Sequence, residues 1–204
     1  MVIGVDFDNT IVRYDDLFHR IAVERGLIPA DLPSRKNDIR DFLRLGGRED
    51  DWTQLQGYVY GLRMAEAKPF PGVLEFFAHG ARRKLSLYII SHKTRHAVAG
   101  PAYDLQKTAL EWLTAQGFFD PHRIALSPAH VRFGESRAEK IRHIRETGCT
   151  HFIDDLEETF REPTFPHHVV QILFGQHHSP SHLSNVHPLA DWTQVSEYVF
   201  NAGR

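Results

Sequence analysis

The 204 residues include a single cysteine, Cys149, so no intramolecular disulfide can form and an oxidising compartment is not indicated. Charge of one sign is also missing. The 24 Lys and Arg stand against 26 Asp and Glu, a net charge of −2, which leaves no broad basic field to hold a nucleic-acid duplex. No apolar run approaches the ~20 residues of a membrane span, so no membrane partner is expected. No positively charged segment leads into an apolar stretch at the N-terminus; an acidic cluster begins at Asp6 instead. These absences predict a cytoplasmic protein. Hydrophobic residues make up 42% and charged residues 25%, which excludes disorder and fibrous architectures. The length suits one domain with a small insertion. No internal repeat is present, and no pattern sets the oligomeric state.

What is there is an alternation of short apolar runs and helical periodicity. The run 2–7 (Val-Ile-Gly-Val-Asp-Phe) has the length and character of a buried strand. Further runs lie at 85–90, ending at Ser91; at 123–126 (Arg-Ile-Ala-Leu); at 151–153, ending at Asp154-Asp155; and at 169–174, ending at Gly175. Helical spacing falls between them, at Val73–Ala81, Leu105–Leu113 and around Ile141 and Ile144. This alternation predicts an α/β fold, with a central parallel sheet between two helical layers. The stretch 14–68 breaks the pattern. Leu17, Phe18 and Ile21 form one helical stripe, Ile39, Phe42 and Leu43 a second, and Trp52, Leu55, Val59 and Leu62 a third. It is expected to be a small helical insertion after the first strand, leaving 1–13 and 69–204 as the core. The segment 175–188 is expected to be a polar, histidine-bearing loop, followed by a last helix near Trp192–Phe200.

In open α/β sheets ligands bind beyond the carboxyl ends of the strands. Those ends carry Asp6-Phe7-Asp8-Asn9-Thr10, then Ser91-His92-Lys93-Thr94, then Asp154-Asp155, with Lys140 at the start of the helix before the fourth of these runs. Several carboxylates brought together resist ionising unless a cation joins them. An oxygen-only donor set suits Mg²⁺, which shares its shell with water and substrate phosphate. Asp6 is then placed to attack phosphorus as a carboxylate. Asp8, two residues on in an extended chain, shares its side and is placed to protonate the leaving oxygen and later to deprotonate water. Ser91 and Lys140 are candidates to bind the transferring oxygens.

This arrangement resembles the haloacid dehalogenase (HAD) superfamily over most of the chain outside the insertion. Its first motif, Asp-x-Asp-x-Thr, is matched by Asp6 to Thr10; its second, a Ser or Thr ending a strand, by Ser91; its third, a Lys or Arg at a helix start, by Lys140; its fourth, an acidic pair, by Asp154-Asp155. The resemblance implies a Rossmann-like core, Mg²⁺, and phosphoryl transfer through Asp6. It implies metal ligation by Asp6, the backbone carbonyl of Asp8 and the acidic pair, with Asp155 the direct ligand and Asp154 behind it. It also implies that 14–68 is a cap that chooses the substrate. An acid at Asp8 favours phosphate esters over halides, since a leaving halide needs no proton.

The expected activity is therefore Mg²⁺-dependent hydrolysis of the phosphate monoester of a small metabolite, a sugar phosphate or a nucleotide, through an aspartyl-phosphate. A phosphotransferase or phosphomutase, and a phospho-ligand-binding module without turnover, remain as alternatives. His92 is a further candidate for phosphate binding. Asn9, Thr10, Lys93 and Arg95 are candidates for contact with the rest of the substrate, as is either His177 or His178.

Overall fold

The structure, a computed structural model, describes residues 1–175 and 185–201. In chain order its elements are β1 (Val2–Val5), β2 (Val12–Arg13), α1 (Asp15–Glu24), α2 (Lys36–Leu45), α3 (Glu49–Tyr60), β3 (Lys68–Pro69), α4 (Val73–Arg82), β4 (Ser86–His92), α5 (Leu105–Ala115), β5 (Val131–Gly134), α6 (Arg137–Glu146), β6 (His151–Asp154), α7 (Glu157–Phe160), β7 (Val170–Phe174), β8 (Val186–Leu189) and α8 (Trp192–Asn201). No helix among the described residues is long and apolar enough to cross a membrane.

The chain divides into two compact units. The first comprises Met1–Val12, Pro69–Lys93 and Gln116–Arg204. It holds a six-stranded sheet in the order β5-β4-β1-β6-β7-β8, every pair parallel. The α/β fold with a parallel central sheet read from the alternating pattern is the fold observed. β1 runs through the middle, with Ile3 and Val5 fully buried. Gly4 is required there: a Cβ at this position would lie 2.6 Å from the Phe152 ring and 2.8 Å from Cys149 Sγ. Ile141 and Ile144 of α6 and Phe160 of α7 share one core cluster with Phe152, Phe165 and Leu173. A second cluster joins Phe76 of α4 to Trp192 of α8, with ring centroids 4.8 Å apart.

The connections after β1 first build outward to β4 and β5, and later ones build the other way through β6, β7 and β8. The order therefore reverses at β1, and the crevice at such a switch point lies beyond the carboxyl ends of β1 and its two neighbours.

Two edge regions differ from the expectation. Residues 123–126 are not a strand. Ile124 and Leu126 are buried, but Ala125 takes φ +54° and its amide bonds back to Asp120 O, which makes a turn. Burial without extended backbone produced the apolar run. The strand next to β4 is instead Val131–Gly134, too short and too mixed to show as an apolar run. β8 likewise lies within and just beyond the expected loop; it is an edge strand containing Pro188, which edge strands tolerate.

The second unit comprises Arg13–Lys68 together with Thr94–Ala115, so it is larger than the 14–68 segment. α1, α2 and α3 carry the three stripes, with Phe18 against Trp52 at 5.4 Å and Leu17, Ile39, Leu43, Leu55 and Val59 buried. Close backbone approaches hold Thr94–Ala115 here. A Cβ on Gly57 would lie 2.8 Å from Ala99 O, and one on Gly61 would lie 2.4 Å from the Tyr103 side chain. Trp112 Nε1 donates to Ala67 O at 2.9 Å, and Thr108 Oγ1 to Tyr60 O at 3.0 Å.

Candidate active site

The first unit brings its polar strand ends together. Asp6 follows β1, and its amide donates to Ile153 O of β6 at 2.8 Å, which continues the sheet one step beyond Val5. One carboxylate oxygen, Asp6 Oδ1, accepts from Ser91 Oγ at 2.9 Å and from Lys140 Nζ at 2.6 Å. The same ammonium donates to Asp154 Oδ2 at 2.6 Å, and Asp154 Oδ1 accepts from the Leu156 amide at 3.0 Å. Asp6, Ser91, Lys140 and Asp154 are all buried.

Lys140 reaches this position through local sequence. Ser136 caps α6, its hydroxyl accepting from the Glu139 amide at 3.2 Å, while Glu139 Oε2 accepts from the Glu135 amide at 2.7 Å. Gly134 ends β5 with no side chain, so the first turn of α6 packs directly on it.

The loop after Asp6 turns tightly, with the Ile11 and Val12 amides both donating to Phe7 O. Asn9 takes φ +58° there, a conformation that Asn tolerates better than most residues. Thr10 is fully buried; its hydroxyl donates to Asp155 Oδ1 at 3.4 Å and its carbonyl accepts from Trp192 Nε1 at 3.1 Å. Asp8 points to a different cation. Lys93 Nζ lies 3.1 Å from Asp8 Oδ1 and 2.9 Å from Oδ2.

The electrostatics follow from burial. Burial pushes the Asp6 carboxyl up from its ordinary value; Lys140 opposes this, while Asp154 and Asp8 add to it. Burial alone would lower Lys140, but Asp154 and then Asp6 outweigh it and hold the ammonium above its ordinary value. Lys140 is therefore a fixed cation shared by two carboxylates. Four carboxyl groups, those of Asp6, Asp8, Asp154 and Asp155, stand against two amines, those of Lys93 and Lys140. Asp6, Asp154 and Asp155 each offer a carboxylate oxygen, and all three lie within 4.8 Å of one another. This oxygen-only donor set, with more carboxyl groups than amines around it, fits a hard divalent cation.

The remaining candidates are dispersed. His92 is exposed at the end of β4; partial burial of its ring holds the imidazole below its ordinary value, with the charges of Lys140 and Arg137 in the same direction. Arg95 belongs to the second unit, 3.5 Å from Asp104. His177 and His178 lie outside the described residues. Sequence reading missed two groups. Trp192, which holds the Thr10 carbonyl, carried no signal. Lys93 was read as a substrate contact, and its pairing with Asp8 was missed. The signal for that pairing was its position two residues after Ser91, which in an extended chain puts both side chains on one side.

No family model matches the chain, and no curated protein matches it. Solved structures do. A HAD family hydrolase from Deinococcus radiodurans R1, solved with bound phosphate and sodium, superposes with a TM-score of 0.63 at 11% identity, over 99% of this chain and 96% of that one. The fold is that of the HAD superfamily. A HAD-superfamily hydrolase from Ehrlichia chaffeensis gives a TM-score of 0.56 at 12% identity, over 98% of this chain and 96% of that one. A predicted phosphoglycolate phosphatase from Haemophilus somnus 129pt gives 0.52 at 14% identity, over 100% and 97%. The residues matched to motifs in the sequence, Asp6, Asp8, Thr10, Ser91, Lys140, Asp154 and Asp155, all belong to the first unit. They lie at the ends of β1, β4 and β6 and in the first turn of α6.

Proposed function

We propose that this chain is a Mg²⁺-dependent phosphatase that hydrolyses the phosphate monoester of a small metabolite through an aspartyl-phosphate on Asp6. The observation that carries the reading is the buried Asp6 carboxylate, held by Ser91 and Lys140 beside Asp154 and Asp155. In this reading 1–13 and 69–204 form the catalytic core, and 14–68 is the cap that selects the substrate.

The chemistry needs two steps. A carboxylate oxygen of Asp6 attacks phosphorus, the bond from phosphorus to the leaving oxygen breaks, and Asp8 donates a proton to that oxygen. Water then attacks the aspartyl-phosphate as Asp8 takes its proton. The bond from phosphorus to the Asp6 oxygen breaks, returning the carboxylate and releasing phosphate. Ser91 and Lys140 orient Asp6 and offer donors to the transferring oxygens. Asp6, the backbone carbonyl of Asp8, and Asp155 with Asp154 behind it would hold Mg²⁺, which when bound neutralises charge on the phosphoryl group.

Phosphate release from sugar phosphates, nucleotides and phosphorylated acids tests this, with Mg²⁺ and with chelator, for wild type and Asp6→Asn. Release that needs Mg²⁺ and is lost in Asp6→Asn is the expected result. No release from any compound, with Mg²⁺ still bound, overturns the hydrolase reading and favours a binding module. Phosphate held on Asp6 until an added alcohol accepts it makes the protein a phosphotransferase.

A further inference from the structure

Lys93 belongs to none of the four motifs, yet its side chain is only 3% exposed. A buried ammonium is strongly unfavourable unless it is paired. Its partner is Asp8, whose two carboxylate oxygens both lie about one hydrogen bond away, at 3.1 and 2.9 Å. The Lys93 amide donates to Gly134 O at 2.9 Å, which pins its backbone to β5, and the Phe7 ring lies 5.4 Å from Nζ. The contact also repeats a spacing. Ser91 and Asp6 are 85 residues apart, and so are Lys93 and Asp8. The β1–β4 register, which ends at Val5 opposite Ile89, brings Asp6 beside Ser91; Asp8 and Lys93 lie beyond the ladder, Asp8 in the turn after Asp6 and Lys93 held to β5 by its amide. The Asp8 side chain is 21% exposed.

Resting on the phosphatase reading, we propose that Lys93 is a positioning residue for Asp8. The ammonium, in reach of both oxygens, fixes the plane of the Asp8 carboxyl group, so that the group is oriented to give its proton to the leaving oxygen and later to take one from water. Ser91 and Lys140 address Asp6, whereas Lys93 addresses Asp8, so the nucleophile and the proton donor are oriented by separate groups.

The test compares wild type, Lys93→Met, Asp8→Asn and the double variant on an alkyl phosphate, which needs a proton on its leaving oxygen, and on p-nitrophenyl phosphate, which needs it far less. Lys93→Met is expected to lower kcat on the alkyl phosphate about ten- to hundredfold. The loss on the aryl phosphate should be smaller, and inhibition by inorganic phosphate unchanged. The double variant should match Asp8→Asn. Lys93→Arg, which keeps a cation, should recover part of the loss. Equal losses on both substrates, a further loss in the Asp8→Asn background, or weakened phosphate inhibition with kcat retained would overturn the proposal. If Lys93→Met does not fold, Lys93→Arg against wild type and the double variant against Asp8→Asn decide, since the double variant leaves neither charge of the pair buried alone. Crystals of Lys93→Met, or of Lys93→Arg should the first not fold, are read without turnover: a changed Asp8 orientation in the Met variant, or one retained by the Arg variant, supports the role. An Asp8 that does not respond to loss of the ammonium, or that turns away while a cation is kept, overturns it. A wild type without phosphatase activity would sink the phosphatase reading and leave this structural arm to decide the positioning.

Discussion

A Cβ on Gly134 would lie 2.8 Å from the backbone nitrogen of Lys140. The end of β5 and the first turn of α6 are thus packed backbone to backbone, and the lysine shared by Asp6 and Asp154 is set by that approach. Gly134→Ala should displace α6, since the obstructing atom is main chain and cannot swing aside. Stability should fall by about 1–3 kcal/mol, as in other overpacked sites. Phosphate release should fall further than the change in folded population explains. Urea unfolding and kcat measured on one preparation check both; a variant with wild-type kcat would show that Lys140 does not depend on this contact.

Lys140→Met removes the cation between two buried carboxylates. Breaking a buried pair from one side costs about 3–5 kcal/mol. Added Mg²⁺ should recover part of that loss, because a divalent ion joins the same carboxylates. Thermal unfolding with and without Mg²⁺ reads this directly. A midpoint that falls equally in both conditions would argue that the cation binds elsewhere.

Burial raises the Asp6 carboxyl above its ordinary range in the protein without a cation. A cation favours the ionised form, so Mg²⁺ binding should release protons and weaken as pH falls. Calorimetry in buffers of different ionisation enthalpy measures the released fraction. Asp155→Asn should weaken Mg²⁺ binding at least about tenfold. Binding without proton release, or undiminished in Asp155→Asn, would remove these groups from the metal site.

In the second unit, bonds from Arg63 and then Arg20 hold Glu66 down from the usual 4.5 to about 2. Arg20 donates to Glu66 Oε2 at 2.7 Å and Arg63 at 3.0 Å. A depressed carboxylate stabilises the fold fully above its unfolded value and loses that contribution as pH falls toward its folded value. The gap in unfolding midpoint between wild type and Glu66→Gln should therefore be small but constant at neutral pH, and close between about pH 4.5 and pH 2. A gap that persists at pH 2 would assign the effect to packing.

Much of this was legible in the residues because the signals are local. The helices α1, α2 and α3 appear as apolar stripes, since each must bury one face. β1 appears as a run without alternation because both its faces are covered. Asp6 to Thr10 is contiguous, and Asp154-Asp155 is a pair. What failed were elements whose character comes from their neighbours. The run 123–126 is apolar because it fills core space, not because it is extended. Val131–Gly134 is a strand because β4 offers it a ladder. Thr94–Ala115 joins the helical unit through close approaches at Gly57 and Gly61 that no pattern along the chain records.

The amino-acid order by itself determined which chemical groups end the strands: carboxylates after β1 and β6, a hydroxyl and an ammonium at the end of β4, and a lysine in the first turn of α6. Only the tertiary structure decided how they pair. Lys140 takes Asp6 and Asp154, and Lys93 takes Asp8. The physical reason is register. Asp6 meets Ser91 because the two parallel strands are locked by their backbone hydrogen bonds, and the offset between them belongs to the sheet rather than to either segment; Asp8 meets Lys93 only through the turn that follows Asp6.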